Sequence, residues 1–146
     1  MKKKILVFAG FIISVFLLAG CKESTLNETN FSEPLENAGM AVGDSIGVSL
    51  DNPSIKMWKV SYDGDGGEVQ YLEFADETSA KNLYTTQIDT YKTITGKGSS
   101  GESYYASQDG FFYYAALIDD KVVIATGKSK NWKTIREILD QMPQVP

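Results

Sequence analysis

Two very short connections in the C-terminal half place the strongest constraint on how this chain folds. Residues 108–110 and 119–120 are polar turn residues that separate three runs rich in aromatic and β-branched side chains, at 102–107, 111–118 and 121–126. Connections this short join antiparallel neighbours in a sheet, because a parallel crossover needs about a dozen residues or more. The sequence therefore predicts a three-stranded antiparallel meander in this half.

A second pair of strands is expected earlier in the chain. Ile55–Tyr62 and Val69–Phe74 are rich in β-forming residues, and the stretch between them, Asp63–Gly67, consists of aspartates and glycines. Both residue types favour tight turns, so this segment predicts a β-hairpin.

Three helices are expected around these strands, each with a polar N-cap residue ahead of apolar side chains at helical spacing. They are predicted at 31–38, 77–92 and 130–142, behind Asn30, Asp76 and Ser129. The resulting order is α-ββ-α-βββ-α, in which runs of strands are separated by helices. Such an order predicts the α+β class, with a single, mainly antiparallel sheet of about five strands and helices packed on one face.

The N-terminal segment has the layout of a secretory signal. Three lysines at positions 2–4 precede an apolar stretch, Ile5–Leu18, that is broken only by small residues and Ser14. This stretch has 14 residues, whereas a helix needs roughly 20 to span a bilayer. A cleaved signal is therefore a better interpretation than a permanent transmembrane anchor.

The end of this segment, Leu18-Ala19-Gly20-Cys21, resembles the lipobox of bacterial lipoproteins. The resemblance implies that cleavage follows Gly20, that Cys21 receives a diacylglyceryl group, and that the protein is anchored in the cell membrane on its extracytoplasmic side. Two acyl chains anchor a protein stably, whereas one binds only marginally. An ordinary signal peptide followed by an incidental cysteine is the alternative. Val69–Tyr84 and Val122–Met142 also resemble, in layout, parts of small bacterial lipoproteins, which implies no activity.

These features divide the chain into three parts. Residues 1–20 form the predicted lipoprotein signal peptide. Residues 21–30 form a lipidated flexible tether, because 22–30 are polar and lack periodicity. Residues 31–146 remain for one α+β domain, a length that supports a single hydrophobic core without disulfides.

Composition and charge exclude several classes of function. The chain has 14 basic and 19 acidic residues, no histidine and one cysteine. Histidine-based triads, histidine zinc sites, internal disulfides and paired-cysteine redox motifs are therefore excluded, and no cofactor or metal is expected. Loss of the signal removes three bases and no acids, which takes the net charge from −5 to near −8. Nucleic acid is not expected as a partner of such an acidic protein, because its binding depends on neutralising phosphates.

A run of bases near the C-terminus is unusual in so acidic a chain: residues 121–136 contain five bases and no acid. Four residues of this run cluster where a helix is expected to begin, namely Lys128, Lys130, Trp132 and Lys133. Lysines at a helix N-terminus suit an anion such as a phosphate or carboxylate, so this is a candidate site for an anion or a partner. The alternative is a solvated helix face with ion pairs at i,i+4 spacing.

The turn at 63–68 offers carboxylates to a cation but departs from the calcium loop of the EF-hand. In that pattern Glu68 stands where glycine is required, and Phe74 stands where glutamate is required. A polar hairpin turn is the better interpretation.

Aromatic side chains on the meander are a further candidate surface. Alternation along a strand places residues of the row Tyr105, Phe112 and Tyr114 on one face and those of the row Tyr104, Phe111 and Tyr113 on the other. A row on an open face would bind proteins or sugars, whereas buried cross-strand packing is the alternative. The sequence leaves both the phase and the choice open.

These observations favour a lipid-anchored extracytoplasmic binding or interaction module with no catalysis of its own. Its expected partners are the membrane, through Cys21, and an envelope protein, while ligand and oligomeric state stay open. The alternative is a small carboxylate-based hydrolase of cell-envelope polymers, because two carboxylates suffice for glycoside hydrolysis. The 19 acids give no basis for locating such a pair.

Overall fold

The computed structural model describes residues 25–43, 54–98 and 101–146. The predicted signal peptide, the lipobox with Gly20 and Cys21, and the start of the tether lie outside the described residues. The elements are α1 (Glu28–Asn37), β1 (Ala41–Val42), β2 (Ile55–Tyr62), β3 (Glu68–Phe74), α2 (Glu77–Thr95), β4 (Ser103–Gln108), β5 (Phe111–Ile118), β6 (Lys121–Lys128), a 3₁₀ turn (Ser129–Asn131) and α3 (Trp132–Leu139).

All six strands form one open sheet of order β1-β2-β3-β6-β5-β4, and every neighbouring pair is antiparallel. The predicted hairpin and meander are both present. In the meander turn, Asp109 and Gly110 both have positive φ, 52° and 82°, which suits the twist of a two-residue hairpin. β3 and β6 lie side by side at the centre, so the hairpin and the meander are joined there.

The sheet has one strand more than the sequence predicts. The order is α-βββ-α-βββ-α rather than α-ββ-α-βββ-α, because β1 pairs with the end of β2. β1 has only two residues, which pair with Ser61 and Tyr62. A strand of this length has too few side chains to produce an alternating pattern, so periodicity did not reveal it.

The α+β class is confirmed, because the strands form one antiparallel sheet to which the helices are added. The predicted packing of the helices on one face is wrong, because they pack on both faces. α1 and α3 cover one face, and α2 covers the other. The cause lies in the central strands, where neighbouring residues such as Tyr71 and Leu72, or Val122 and Val123, are both buried. Strands with consecutive buried residues need cover on both faces.

The first helix begins earlier than predicted. Asn27, rather than Asn30, is the N-cap of α1, and Asn30 is the third residue of a reciprocal capping box. The backbone N–H of Asn27 donates to Asn30 Oδ1 at 2.6 Å, and the backbone N–H of Asn30 donates to Asn27 Oδ1 at 3.0 Å. Leu26, expected in the tether, is 1% exposed and belongs to the core. The folded part therefore begins near residue 26 instead of residue 31.

The other two predicted caps have different outcomes. Asp76 caps α2 as predicted, because its Oδ1 accepts the backbone N–H of Ser79 at 2.7 Å. Ser129 does not cap the last helix, and its hydroxyl instead lies 2.7 Å from the hydroxyl of Ser107. Ser129 opens the 3₁₀ turn, so α3 begins at Trp132.

Among the helices that the structure describes, none has both the length and the apolarity that crossing a membrane requires.

Candidate functional site

The predicted anion site at the end of β6 already contains a carboxylate of the chain itself. Lys128 Nζ lies 3.0 Å from Asp65 Oδ1, and Lys130 Nζ lies 3.0 Å from Asp65 Oδ2. Asn131 Nδ2 approaches Asp65 Oδ2 at 3.4 Å. Hydrogen bonds from Lys128, Lys130 and Asn131, in that order, lower the pKa of Asp65 to about 2. We call these four residues the Asp65 cluster. The positive charges of its two lysines are paired with a carboxylate of the chain itself.

The turn that carries Asp65 is held by its own side chains. Asp63 Oδ1 accepts the backbone N–H groups of Asp65 and Gly67, both at 2.8 Å. Any side chain at Gly67 would collide with Asp63, because a Cβ there would lie 2.3 Å from Asp63 Oδ2. These contacts support the interpretation of 63–68 as a hairpin turn.

Trp132 and Lys133, predicted to share the site with the two lysines, lie apart from it. The Trp132 ring packs over the sheet at centroid distances of 4.4 Å from Tyr105, 5.1 Å from Phe112 and 5.5 Å from Tyr114. Lys133 is exposed, with its Nζ 3.9 Å from Glu137 Oε1. The structure therefore divides the four predicted residues into an internal ion cluster, a packing residue and a solvated helix face.

The same contacts fix the phase of the aromatic rows. Tyr105, Phe112 and Tyr114 lie beneath Trp132 on the face of α1 and α3, where Tyr105 stays 46% exposed. The residues of the second row, Tyr104, Phe111 and Tyr113, lie on the face of α2. Most of the predicted aromatic surface is therefore buried packing.

A hollow of about 300 Å³ borders the Asp65 cluster, between the end of α1 and the start of α3. Met40, Ile135 and Ile138 supply its apolar wall, and Asp63 and Asp65 supply two carboxylates. Glycoside hydrolysis needs one carboxyl that is protonated near neutral pH. Asp65 cannot be that acid, because its pKa is about 2.

A second hollow, of about 280 Å³, is lined by three acids. Glu77, Glu102 and Asp119 lie around it together with Lys81 and Gln144. No three acidic side chains converge as metal ligands anywhere in the described residues.

A third hollow, of about 350 Å³, lies between the start of β2 and the first half of α2. It is lined by Ser54, Ser79, Asn82, Leu83 and Thr86. Trp58, next along β2 on this face, packs against the same core as Leu83. None of the residues Trp58, Val60 and Tyr62 lines this hollow, and the name α2–β2 groove is used for the hollow together with this neighbouring row.

The row on β2 is open because α2 runs over β3, β6, β5 and β4 and leaves β2 at its margin. Trp58 and Val60 are half-buried, and Tyr62 is 54% exposed. The register places Gln70 opposite Val60 and Glu68 opposite Tyr62. The groove therefore combines apolar side chains on one strand with polar ones on the next.

Trp58 is fixed by a short hydrogen-bonded chain. Its Nε1 donates to Gln70 Oε1 at 3.1 Å, and Gln70 Nε2 donates to Glu68 Oε1 at 2.6 Å. Burial raises the pKa of Tyr91 in α2, and the charge of Glu68 raises it further. These hydrogen bonds hold the indole ring in one orientation.

Sequence reasoning did not single out Trp58, Tyr62 or Gln70. The available signal was the period of two in Trp58, Val60 and Tyr62, which places these side chains on one face of a strand. That signal does not show which strand lacks a covering helix. The position of α2 on the sheet shows that this strand is β2.

Fold and groove define a small α+β domain with an open surface beside one helix. Comparison of the chain with models of protein families, with curated proteins and with solved structures finds no match in any of the three.

Proposed function

We propose that this chain is a lipid-anchored binding module on the extracytoplasmic side of the cell membrane, without catalysis of its own. Cys21 is its lipid attachment site, and the α2–β2 groove is its binding surface. The observation that carries the binding role is the partly exposed row on β2 with its two aromatic residues, Trp58 and Tyr62, of which Trp58 donates a hydrogen bond to Gln70. Exposed aromatic surface beside polar groups is typical of sites that bind ligands or partners.

The start of the folded part supports a position close to the bilayer. Leu26 is buried, and its backbone N–H approaches Gln144 Oε1 at 3.4 Å. Leu26 follows Cys21 by five positions. Five extended residues reach at most about 18 Å, so a lipid at Cys21 would hold the domain near the membrane surface. A ligand in the cell envelope must then lie close enough to the membrane surface for the anchored domain to reach it.

The second candidate is a carboxylate-based hydrolase, favoured by the hollow lined by Glu77, Glu102 and Asp119. Hydrolysis of a glycosidic bond needs an acid and a base or nucleophile on opposite sides of the bond. Single substitutions Glu102→Gln and Asp119→Asn test this directly. If the protein hydrolyses an envelope polymer and either substitution abolishes that hydrolysis, the protein is a hydrolase and the proposed binding role is wrong.

The anchoring is tested by membrane fractionation and mass spectrometry of wild type and a Cys21→Ala variant. We expect wild type in the membrane fraction, with a diacylglyceryl-modified Cys21 as its first residue. The variant should lack that modification and keep its signal segment. A wild-type protein that is cleaved elsewhere or carries no lipid contradicts the proposal.

In-cell crosslinking tests the binding surface. A photoreactive residue at position 62 lies in the groove, and one at position 133 on exposed α3 is the matched control. We expect a specific product from position 62 only. Products from position 133 alone would place the binding surface elsewhere.

A further inference from the structure

Strand β4 lies at one end of the sheet order, with β5 as its neighbour. Its six residues, Ser103–Gln108, include neither a charged side chain nor a proline. Natural edge strands commonly carry such residues, because the outward backbone groups of an edge are a template for a strand of another molecule. Protection of this edge therefore has to come from outside the sequence of β4.

The register of β4 and β5 shows which backbone groups of β4 face the open edge. The backbone N–H of Leu117 donates to the backbone oxygen of Glu102 at 2.8 Å, so the backbone of Glu102 faces β5. Successive residues of a strand direct their N–H and C=O groups to opposite sides, and β4 pairs with β5 in one continuous register. Counting from Glu102, the backbone groups of Tyr105 and Ser107 face the open edge.

A lysine already occupies one of these outward groups. Lys97 Nζ donates to the backbone oxygen of Ser107 at 2.6 Å. A strand that paired along this edge would have to displace the ammonium group from that oxygen and so break a charge-assisted hydrogen bond. Lysine at an edge is one of the devices by which natural sheets avoid such pairing.

The position of Lys97 is set by the end of α2 and by β4 itself. Gly96 ends α2 in the left-handed conformation, with a φ of 66°. The backbone N–H of Lys97 donates to Thr95 Oγ1 at 3.2 Å, and the Tyr104 hydroxyl donates to the backbone oxygen of Lys97 at 3.4 Å. Tyr104 is a buried residue of β4, so the backbone of Lys97 is tied to the strand whose edge its side chain covers.

We infer that Lys97 protects the edge of β4 and keeps two copies of this chain from pairing along it. In such a pair the two β4 strands run antiparallel about a two-fold axis, with Tyr105 opposite Tyr105 of the second copy. Ser107 of each copy then pairs with Ser103 of the other, so Lys97 blocks the pairing at both ends. This edge is separated from β2 by three strands, and the inference does not rest on the proposed function.

The test is sedimentation equilibrium of the purified full-length chain in a detergent whose density the solvent matches, with micelles in excess. We expect a monomeric wild type and a Lys97→Ala variant that dimerises at least about tenfold more tightly, because two blocking hydrogen bonds are lost per dimer. Loss of a lysine makes this acidic chain more acidic, so charge repulsion alone predicts the opposite change. Dimerisation of Lys97→Ala that is no tighter than that of wild type overturns the inference.

Two matched variants separate protection of the edge from a general effect of losing a lysine. Lys97→Arg keeps a charged donor at this position and should stay monomeric. Lys92→Ala removes a lysine of the same helix whose Nζ lies 3.7 Å from Asp89 Oδ1, and it should also stay monomeric. Dimerisation of Lys92→Ala as tight as that of Lys97→Ala overturns the inference.

A proline in β4 locates the contact. Added to Lys97→Ala, Ser107→Pro removes an N–H that faces away from β5, so the edge loses a donor while the ladder with β5 stays complete. The double variant should return to the monomer, with thermal unfolding as the check that it is folded. Tyr105→Pro in the same background tests the second outward N–H. Folded double variants that dimerise as tightly as Lys97→Ala overturn the inference, because the contact then lies elsewhere.

Discussion

The two faces of the sheet are covered to different extents. Two helices, α1 and α3, cover one face, and the single helix α2 covers the other. Strands lie about 4.8 Å apart and a helix with its side chains is about 10 Å wide, so one helix covers only part of a six-stranded sheet. Strand β2, which lies next to the two-residue edge strand β1, is left open beside α2 for this reason. This part of the sheet is open because one helix is too narrow to cover the whole face, and no unusual residue is needed to explain it.

The covered face is closed further by the C-terminus. The Tyr114 hydroxyl donates to the backbone oxygen of Pro146 at 2.8 Å, and Arg136 Nη1 donates to the same oxygen at 2.6 Å. Burial raises the pKa of Tyr114 to about 12. Of the first aromatic row considered in the sequence, Phe112 and Tyr114 are therefore core residues, and Tyr105 remains half-exposed. A row of aromatics predicts a binding surface only where no helix is left to cover it.

The largest expected effect compares one tryptophan on each face. Trp132→Ala should lower the free energy of unfolding by about 2–4 kcal/mol, because three aromatic rings lose their partner. Trp58→Ala should cost less, since its ring borders open space. Urea unfolding of both variants measures the difference. Equal losses would show that the two faces are equally packed.

An intermediate effect concerns the ion pairs that hold the turn of β2 and β3 to the end of β6. The pKa of Asp65 is lower in the folded chain than its ordinary value of 3.8. The contribution of these pairs to the free energy of unfolding is thus complete above the ordinary pKa of 3.8 and is lost as pH falls towards 2. In urea unfolding at several pH values, the difference in the free energy of unfolding between wild type and Asp65→Asn should shrink across this acid range. A difference that stays constant down to pH 2 contradicts the pairing.

The smallest effect involves a buried hydroxyl on the covered face. Ser32 Oγ is buried and has no hydrogen-bond partner. Removing an unsatisfied buried group relieves its desolvation cost, so Ser32→Ala should raise the free energy of unfolding by about 1 kcal/mol. Ser61→Ala is the matched control, because the Ser61 hydroxyl is buried but donates to the backbone oxygen of Ala41 at 3.1 Å. The control should be destabilised, and a destabilised Ser32→Ala would mean that its hydroxyl has a partner in solution.

Local signals in the sequence were sufficient for most of the elements. The bounds of β2 and β5 and the cap at Asp76 agree with the prediction, because turn residues and alternation act over a few neighbours. Asn30 was mistaken for a cap because either asparagine of a reciprocal pair fits that role. β1 was missed because pairing with β2, rather than its own sequence, makes it a strand.

The site depended on distant contacts, which a single sequence does not reveal. The cluster of lysines was visible, but its partner Asp65 is 63 positions away from Lys128. Trp132 was grouped with those lysines by proximity in sequence, although its partners are rings on β4 and β5. Trp58 is only half-buried because β2 lies at the margin of α2, which the sequence does not reveal.

The most direct test uses the two tryptophans as reporters, since Trp58 lies in the groove and Trp132 lies on the covered face. The full-length chain in detergent, labelled with ¹⁵N-tryptophan, gives one indole N–H signal for each, assigned with Trp132→Phe. A neutral, water-soluble paramagnetic probe should broaden the Trp58 signal more than the Trp132 signal, because Trp58 lies at the open margin of α2 and Trp132 packs against three aromatic rings. Stronger broadening of the Trp132 signal would contradict the account, because the face that the structure closes would then be the more accessible one.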